Sequence, residues 1–228
     1  MTFSPFLEFF QQMNVGRPKD LEKRQRILES AKQLFLEMGY HGSSMNQIAQ
    51  NAGVTKLTVY NHFQDKATLF TCAIEDTCEH ILSTRPRELT ADSNFIVVLN
   101  EVCELALNIV NLPEAIKLDL LLLELAAEHS PLVEQFYRAS HLKMRQVWEN
   151  FFQDAAALNF IQQDHPAQQT ELIVSLLMGL RHQEVLLGMR ERPTAVEQQN
   201  IISFAIELFM LKYAKSNSLN GMTATFPR

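Results

Sequence analysis

Between Gly53 and Lys66 the chain reads GVTKLTVYNHFQDK, a turn, a short helix start and a second helix start that carries a lysine. Val59 and Phe63 lie four apart and face inward, which leaves Lys56, Leu57, Thr58, Tyr60, Asn61 and His62 to face outward. That outward set suits a nucleic-acid duplex. The first residues of a recognition helix reach base edges in the major groove. Tyr60 and His62 can donate to phosphate oxygens, and Thr55 N-caps the helix whose first residues are Lys56, Leu57 and Thr58. Lys66 follows Asp65, the N-cap of the next helix, and adds a positive charge where a helix N-terminus already favours anions.

The elements that must hold this segment lie just upstream. Leu21–Met38 carries Ile27, Ala31, Leu34, Phe35 and Met38 at spacings of three and four, one apolar helix face, and Gly39 follows as a left-handed C-cap. Ser44-Met45-Asn46-Gln47 reads as a capping box in which Gln47 reaches back to the Ser44 backbone. Ile48 and Ala49 supply the buried face of this second helix. Gly53 ends it, because a tight turn between helices needs a positive φ.

Residues Arg17 to about Ile74 resemble the DNA-binding domain of the TetR/AcrR family of one-component bacterial regulators. The matching residues are Ile27, Ala31, Phe35, Gly39-Tyr40, Ser43-Ser44, Ile48-Ala49, Ala52 to Lys56, Thr58-Val59-Tyr60, His62-Phe63, Lys66 and Leu69-Phe70. The resemblance covers roughly a quarter of the chain, and many positions agree at fixed spacing. It implies that Lys56 and Leu57 approach bases, and that Ser44, Tyr60, His62 and Lys66 contact phosphates. Leu57 departs from the pattern, since that position is usually small and often glycine. A leucine there either touches a thymine methyl or limits the approach of the helix. Ala67-Thr68 replaces the acidic residues common after the lysine, a poorer match to the helix dipole.

Two readings stand for Arg17-Pro18-Lys19: a basic arm, with Arg17 and Lys19 reaching into the minor groove, or a solvated tail. The net charge of −6 divides unevenly. Residues 15–70 hold eight Lys and Arg against five Asp and Glu, whereas residues 71–228 hold twelve against twenty. The acidic part is repelled by DNA, so the small basic module faces it. Residues 1–14 contain four phenylalanines but no basic start, which argues against a signal peptide. Cys72, Cys78 and Cys103 lack metal-ligand spacing and read as buried, reduced thiols of a cytoplasmic protein with no evident basic neighbours. No run approaches 18 apolar residues, so no membrane span is expected.

Beyond the reader the chain is helical. Residues 83–91, with Pro86, read as a linker. Asp92 caps a helix to about Asn111, and Glu114–Glu128 is the next, its leucines on more than one side and deeply buried. Pro131 opens a long helix to about Leu158, Pro166 one to about Met189, and Pro193 the last, to about Lys215. This predicts an all-α fold of about nine helices. Its parts are an N-terminal extension (1–16), a three-helix helix-turn-helix domain (17–66), a connecting helix (67–82), a ligand-binding and dimerisation domain (83–216) and a tail (217–228). The last two long helices carry more apolar surface than one domain buries, and Gly179 within a helix points to close helix contact. A two-fold four-helix bundle of a homodimer satisfies both.

Three functions follow from different classes. The first is a dimeric repressor on a palindromic double-stranded operator, released by a small apolar or amphipathic ligand; the family implies such a pocket, and Glu104, His141, Met144 and Trp148 are candidate lining. The second is a ligand-independent or activating DNA-binding regulator. The third, an enzyme, lacks a GxSxG, HExxH, P-loop or dinucleotide motif, and no cofactor or metal is expected.

Overall fold

The computed structural model describes residues 18–83 and 89–215, with the backbone alone for residues 18–19 and 78–83. The N-terminal extension, Arg17, the centre of the linker and the tail lie outside the described residues, as do the side chains of Lys19 and Cys78. Ten helices and no strand occur among the described residues. The chain divides into two compact units, residues 1–79 and 80–228.

In the first unit, α1 (Pro18–Gly42) buries Ile27, Leu28, Ala31, Leu34 and Phe35. Met38, expected on that face, is exposed, because the helical path breaks next to it at Gly39 (φ 72°, ψ 176°). Helix α2 (Met45–Asn51) is capped by Ser44, whose Oγ accepts from Gln47 N at 3.3 Å. The reciprocal half of the expected capping box is replaced. The Gln47 Oε1 takes the Ser44 hydroxyl proton at 2.7 Å instead of reaching the Ser44 backbone. Ser30 Oγ donates to Ile48 O at 3.0 Å and ties α1 to α2. Gly53 turns the chain at φ 64°, a conformation that a Cβ disfavours. Helix α3 (Lys56–Phe63) then starts on Thr55, which accepts from Thr58 N at 3.2 Å. Helix α4 (Lys66–Ser83) starts on Asp65, whose carboxylate accepts from Thr68 N at 2.7 Å. Phe70 of α4 sits edge-on to Phe35 and Tyr40, at centroid distances of 5.0 and 5.2 Å. As far as Glu79, this helix belongs to the reader's own unit.

The second unit holds α5 (Phe95–Val110), α6 (Pro113–Ala127), α7 (Leu132–Ala139), α8 (His141–Ala157), α9 (Pro166–Leu186) and α10 (Ala195–Tyr213). Its main core joins α5, α8, α9 and α10. Trp148, Phe152, Phe209 and Tyr213 form a chain of rings at successive centroid distances of 5.8, 4.9 and 4.8 Å. The end of α10 is pinned where Gln162 N donates to Tyr213 O at 2.8 Å and Gln162 Nε2 to Ala214 O at 2.7 Å.

Four expectations change here. The cap of α5 is Asn94, not Asp92, since Asn94 Oδ1 accepts from Val97 N at 3.3 Å. The single helix expected over 131–158 is two, broken at Ser140 (φ −117°, ψ −80°), whose hydroxyl donates to Phe136 O at 2.8 Å. Helix α6 is not buried all round: Leu121 and Leu125 are buried while Leu120 and Leu123 are exposed, because only one face meets its neighbours. Helix α10 starts on a full capping box between Thr194 and Glu197, one residue after the expected Pro193.

Gly179 interrupts α9 at φ 54°, ψ −161°, and a Cβ built on it meets nothing within 4 Å. Its glycine is explained by backbone conformation, not by close helix contact. No single described helix is long and apolar enough to cross a membrane.

Candidate nucleic-acid interface

Helix α3 has two unlike faces. Val59 and Phe63 are buried behind it, and Thr55, Lys56, Leu57, Tyr60 and Asn61 are exposed in front. Leu57 is 68 % exposed, a large apolar side chain standing in solvent at the second position of the helix. Thr58 is half-buried, its hydroxyl 2.8 Å from that of Thr55. Lys56 Nζ lies 5.7 Å from the Tyr60 ring centroid, so the two span one turn of the exposed face. The front of α3 therefore offers an ammonium, a phenol, an amide and an apolar tip side by side, the chemistry that base edges and phosphates can pair with.

Three residues expected at phosphates make contacts within the protein itself. Ser44 is half-buried, and its proton is committed to Gln47 Oε1. The His62 side chain is only 14 % exposed, and its Nε2 lies 3.4 Å from Asp20 Oδ1 at the start of α1. Lys66 turns inward onto two backbone carbonyls, one in the last turn of α1 and one in the link to α2. Its Nζ donates to Tyr40 O at 2.6 Å and to Ser43 O at 2.9 Å, and lies 4.4 Å from the Tyr40 ring centroid. Burial pulls the lysine's pKa below its usual range.

Two arginines that the sequence analysis does not name stand beside α3. The Arg24 guanidinium lies 5.2 Å from the Phe63 ring centroid and so buttresses α3 from α1. A Cβ on Gly53 would lie 3.6 Å from an Arg26 side-chain nitrogen, so Arg26 stands beside the inter-helix turn. Basic residues on α1 opposite its apolar stripe were the available signal.

Arg24 is also a basic neighbour of Cys72, contrary to expectation, yet burial outweighs it and the thiol's pKa is raised. Cys103 is fully buried, its pKa pushed up to about 12. The residues named for a ligand pocket do not converge. Trp148 is core, Glu104 is exposed, Met144 is half-buried, and His141 is at the surface, 3.6 Å from Asp119. No group of side chains suited to hold a metal ion occurs among the described residues.

Residues 27–71 match the family described as bacterial regulatory proteins, tetR family. Residues 97–215 match the C-terminal domain of AefR-like transcriptional repressors. Over 66 residues the chain is 35 % identical to the HTH-type transcriptional activator FasR of Mycolicibacterium smegmatis, covering 29 % of this chain and 30 % of FasR. It is 29 % identical over 161 residues to the HTH-type transcriptional regulator UidR of Escherichia coli K12, covering 69 % and 79 % of the two chains. The solved structure of the flavonoid-responsive regulator FrrA superposes with a TM-score of 0.72 at 23 % identity, over 85 % of this chain and 98 % of FrrA. The matched stretch thus spans less than a third of FasR but most of UidR and of the FrrA structure.

Proposed function

This chain belongs to the tetR family of bacterial regulatory proteins, and from that premise we propose that it is a dimeric, cytoplasmic repressor released from a palindromic operator by a small molecule. It is a DNA-binding transcriptional regulator. The observation that carries the reading is the divided α3, with Val59 and Phe63 locked into the first unit and Lys56, Leu57, Tyr60 and Asn61 free in front. Lys56 and Leu57 read bases, and Tyr60 holds a phosphate. Lys66, with its ammonium on the Tyr40 and Ser43 carbonyls, braces α4 against the end of α1. Pairing by two copies is supported by apolar side chains that α9, α10 and their connection leave in solvent: Leu180, Leu187, Val196, Phe204 and Leu211. Repression is supported by the repressor-type C-terminal match, and response to a small molecule by the fold shared with FrrA. Activation is the second reading, because FasR is named an activator.

Selection of binding sites from random duplexes with the purified protein tests this. The expected product is a palindrome whose half-sites lie about one helical turn apart, ~34–36 Å, or a multiple of that. Binding should weaken steeply with salt. A protein that shows no preference among duplexes at physiological salt overturns it.

A further inference from the structure

With Ser44, His62 and Lys66 engaged inside the first unit, its remaining cations decide how the reader grips a DNA backbone. Lys32 holds Asp76 at 2.7 Å. Lys66 holds two backbone carbonyls, and the Arg24 guanidinium lies over the Phe63 ring. Lys56 stands on α3 itself. That leaves Lys23 and Arg26 of α1, both exposed and neither in a hydrogen bond or ion pair among the described residues.

Of these two, Arg26 is the one placed at the reader's turn, a guanidinium nitrogen standing 3.6 Å from where a Cβ on Gly53 would lie. Gly53 comes three residues before Lys56, a chain path of at most about 11 Å. The major groove that receives a recognition helix is about 12 Å wide between its phosphate walls. With Lys56 and Leu57 at the bases, a guanidinium beside Gly53 is therefore within reach of one wall. The acidic groups one turn away on α1 do not hold it. Glu29 accepts from Lys32 at 3.1 Å and from Gln25 at 2.9 Å, and Glu22 forms no ion pair with Arg26. Exposed carboxylate pairs along a helix are weak beside a two-pronged guanidinium–phosphate contact.

We propose that Arg26 anchors a phosphate of the DNA backbone, one contact per protomer, from α1 rather than from the recognition helix. The planar fork of a guanidinium fits two phosphate oxygens at once. Such a contact carries no base information; it fixes the register in which Lys56 and Leu57 read. The proposal rests on α3 being the helix that enters the groove, and pairing of two copies sets only the number of contacts.

The test is DNA affinity of the full chain from about 50 to 200 mM salt, on the selected operator and on a random duplex of equal length. The parent protein is compared with Arg26→Gln, Arg26→Lys and Lys117→Gln, the last removing the same charge from the exposed surface of α6. Arg26→Gln should weaken both duplexes by the same factor, about tenfold or more. It should also lower the slope of log affinity against log salt by about two, one per protomer. Arg26→Lys should keep the slope, and Lys117→Gln should keep both slope and affinity. The selected motif and the thermal midpoint should not move with Arg26→Gln. An unchanged slope, a loss confined to the operator, an equal loss with Lys117→Gln, or a loss that comes with a lower midpoint overturns the anchor. A parent protein that binds both duplexes alike overturns the operator reading, and the slope on the random duplex then decides Arg26 by itself.

Discussion

Lys66 Nζ sits 2.6 Å from the carbonyl oxygen of Tyr40 and 4.4 Å from the centroid of the same residue's ring. One side chain thus closes the end of α1 and anchors the start of α4. Lys66→Met should lower the stability of the first unit by about 1–2 kcal/mol, the worth of hydrogen bonds to a charged donor discounted for partial exposure. Chemical denaturation reads this directly. The salt dependence of operator binding should stay the same. A slope reduced by about one, with stability intact, would instead assign Lys66 to a phosphate.

Leu57 projects from the second position of α3 with 68 % of its surface in solvent. Removing it costs the fold no buried contact. Leu57→Gly should therefore change the selected operator at one or two positions, most plainly at a thymine, while the half-site spacing holds. The glycine also weakens the helix by about 1 kcal/mol. Site selection with both proteins is the measurement, and an unchanged motif would remove Leu57 from the readout.

Asp65 is the cap of α4, and the Thr68 amide holds its carboxyl below the usual range. A carboxyl lowered on folding stabilises above its unfolded pKa, and that contribution fades as pH falls through the folded value. Asp65→Ala should cost about 1 kcal/mol at neutral pH. The gap from the parent protein should stay constant down to about pH 5 and shrink below about pH 4. Urea titrations across that range would show it. A gap independent of pH would mean that the carboxylate is not what caps the helix.

Phe204 is 58 % exposed on α10, while Ile202, Ala205 and Ile206 beside it are buried. Phe204→Glu should leave the second unit folded and halve the mass in sedimentation. Operator affinity should fall by orders of magnitude, because a lone reader grips one half-site. A variant that stays dimeric moves the interface off this stripe.

The three reader helices were legible because their signals are local. Ser44 and Thr55 cap within three residues, Gly53 turns within one, and Val59 with Phe63 marks a face within one helical turn. The partners of Lys66 lie 26 and 23 residues upstream, and His62 meets Asp20 from another helix; spacing along a chain carries no such information. The break at Ser140 was hidden for a different reason. No glycine or proline marks it, and a serine hydroxyl redirected to Phe136 O looks like any other helical serine until its neighbours are known. For α6, periodicity placed the leucines on the helix but not which side another helix would cover. Gly179 was seen but misread, since a glycine that permits contact and one that permits a turn are the same letter.

Cys103 sits at the meeting of four helices with its thiol pushed up to about 12, so in the closed core it presents no thiolate to an alkylating reagent. With Cys72 and Cys78 replaced by serine, every labelled molecule must first have opened. At high reagent concentration the labelling rate becomes the opening frequency of that core, a clock with no probe attached to the surface. The reader's own breathing should leave the clock running.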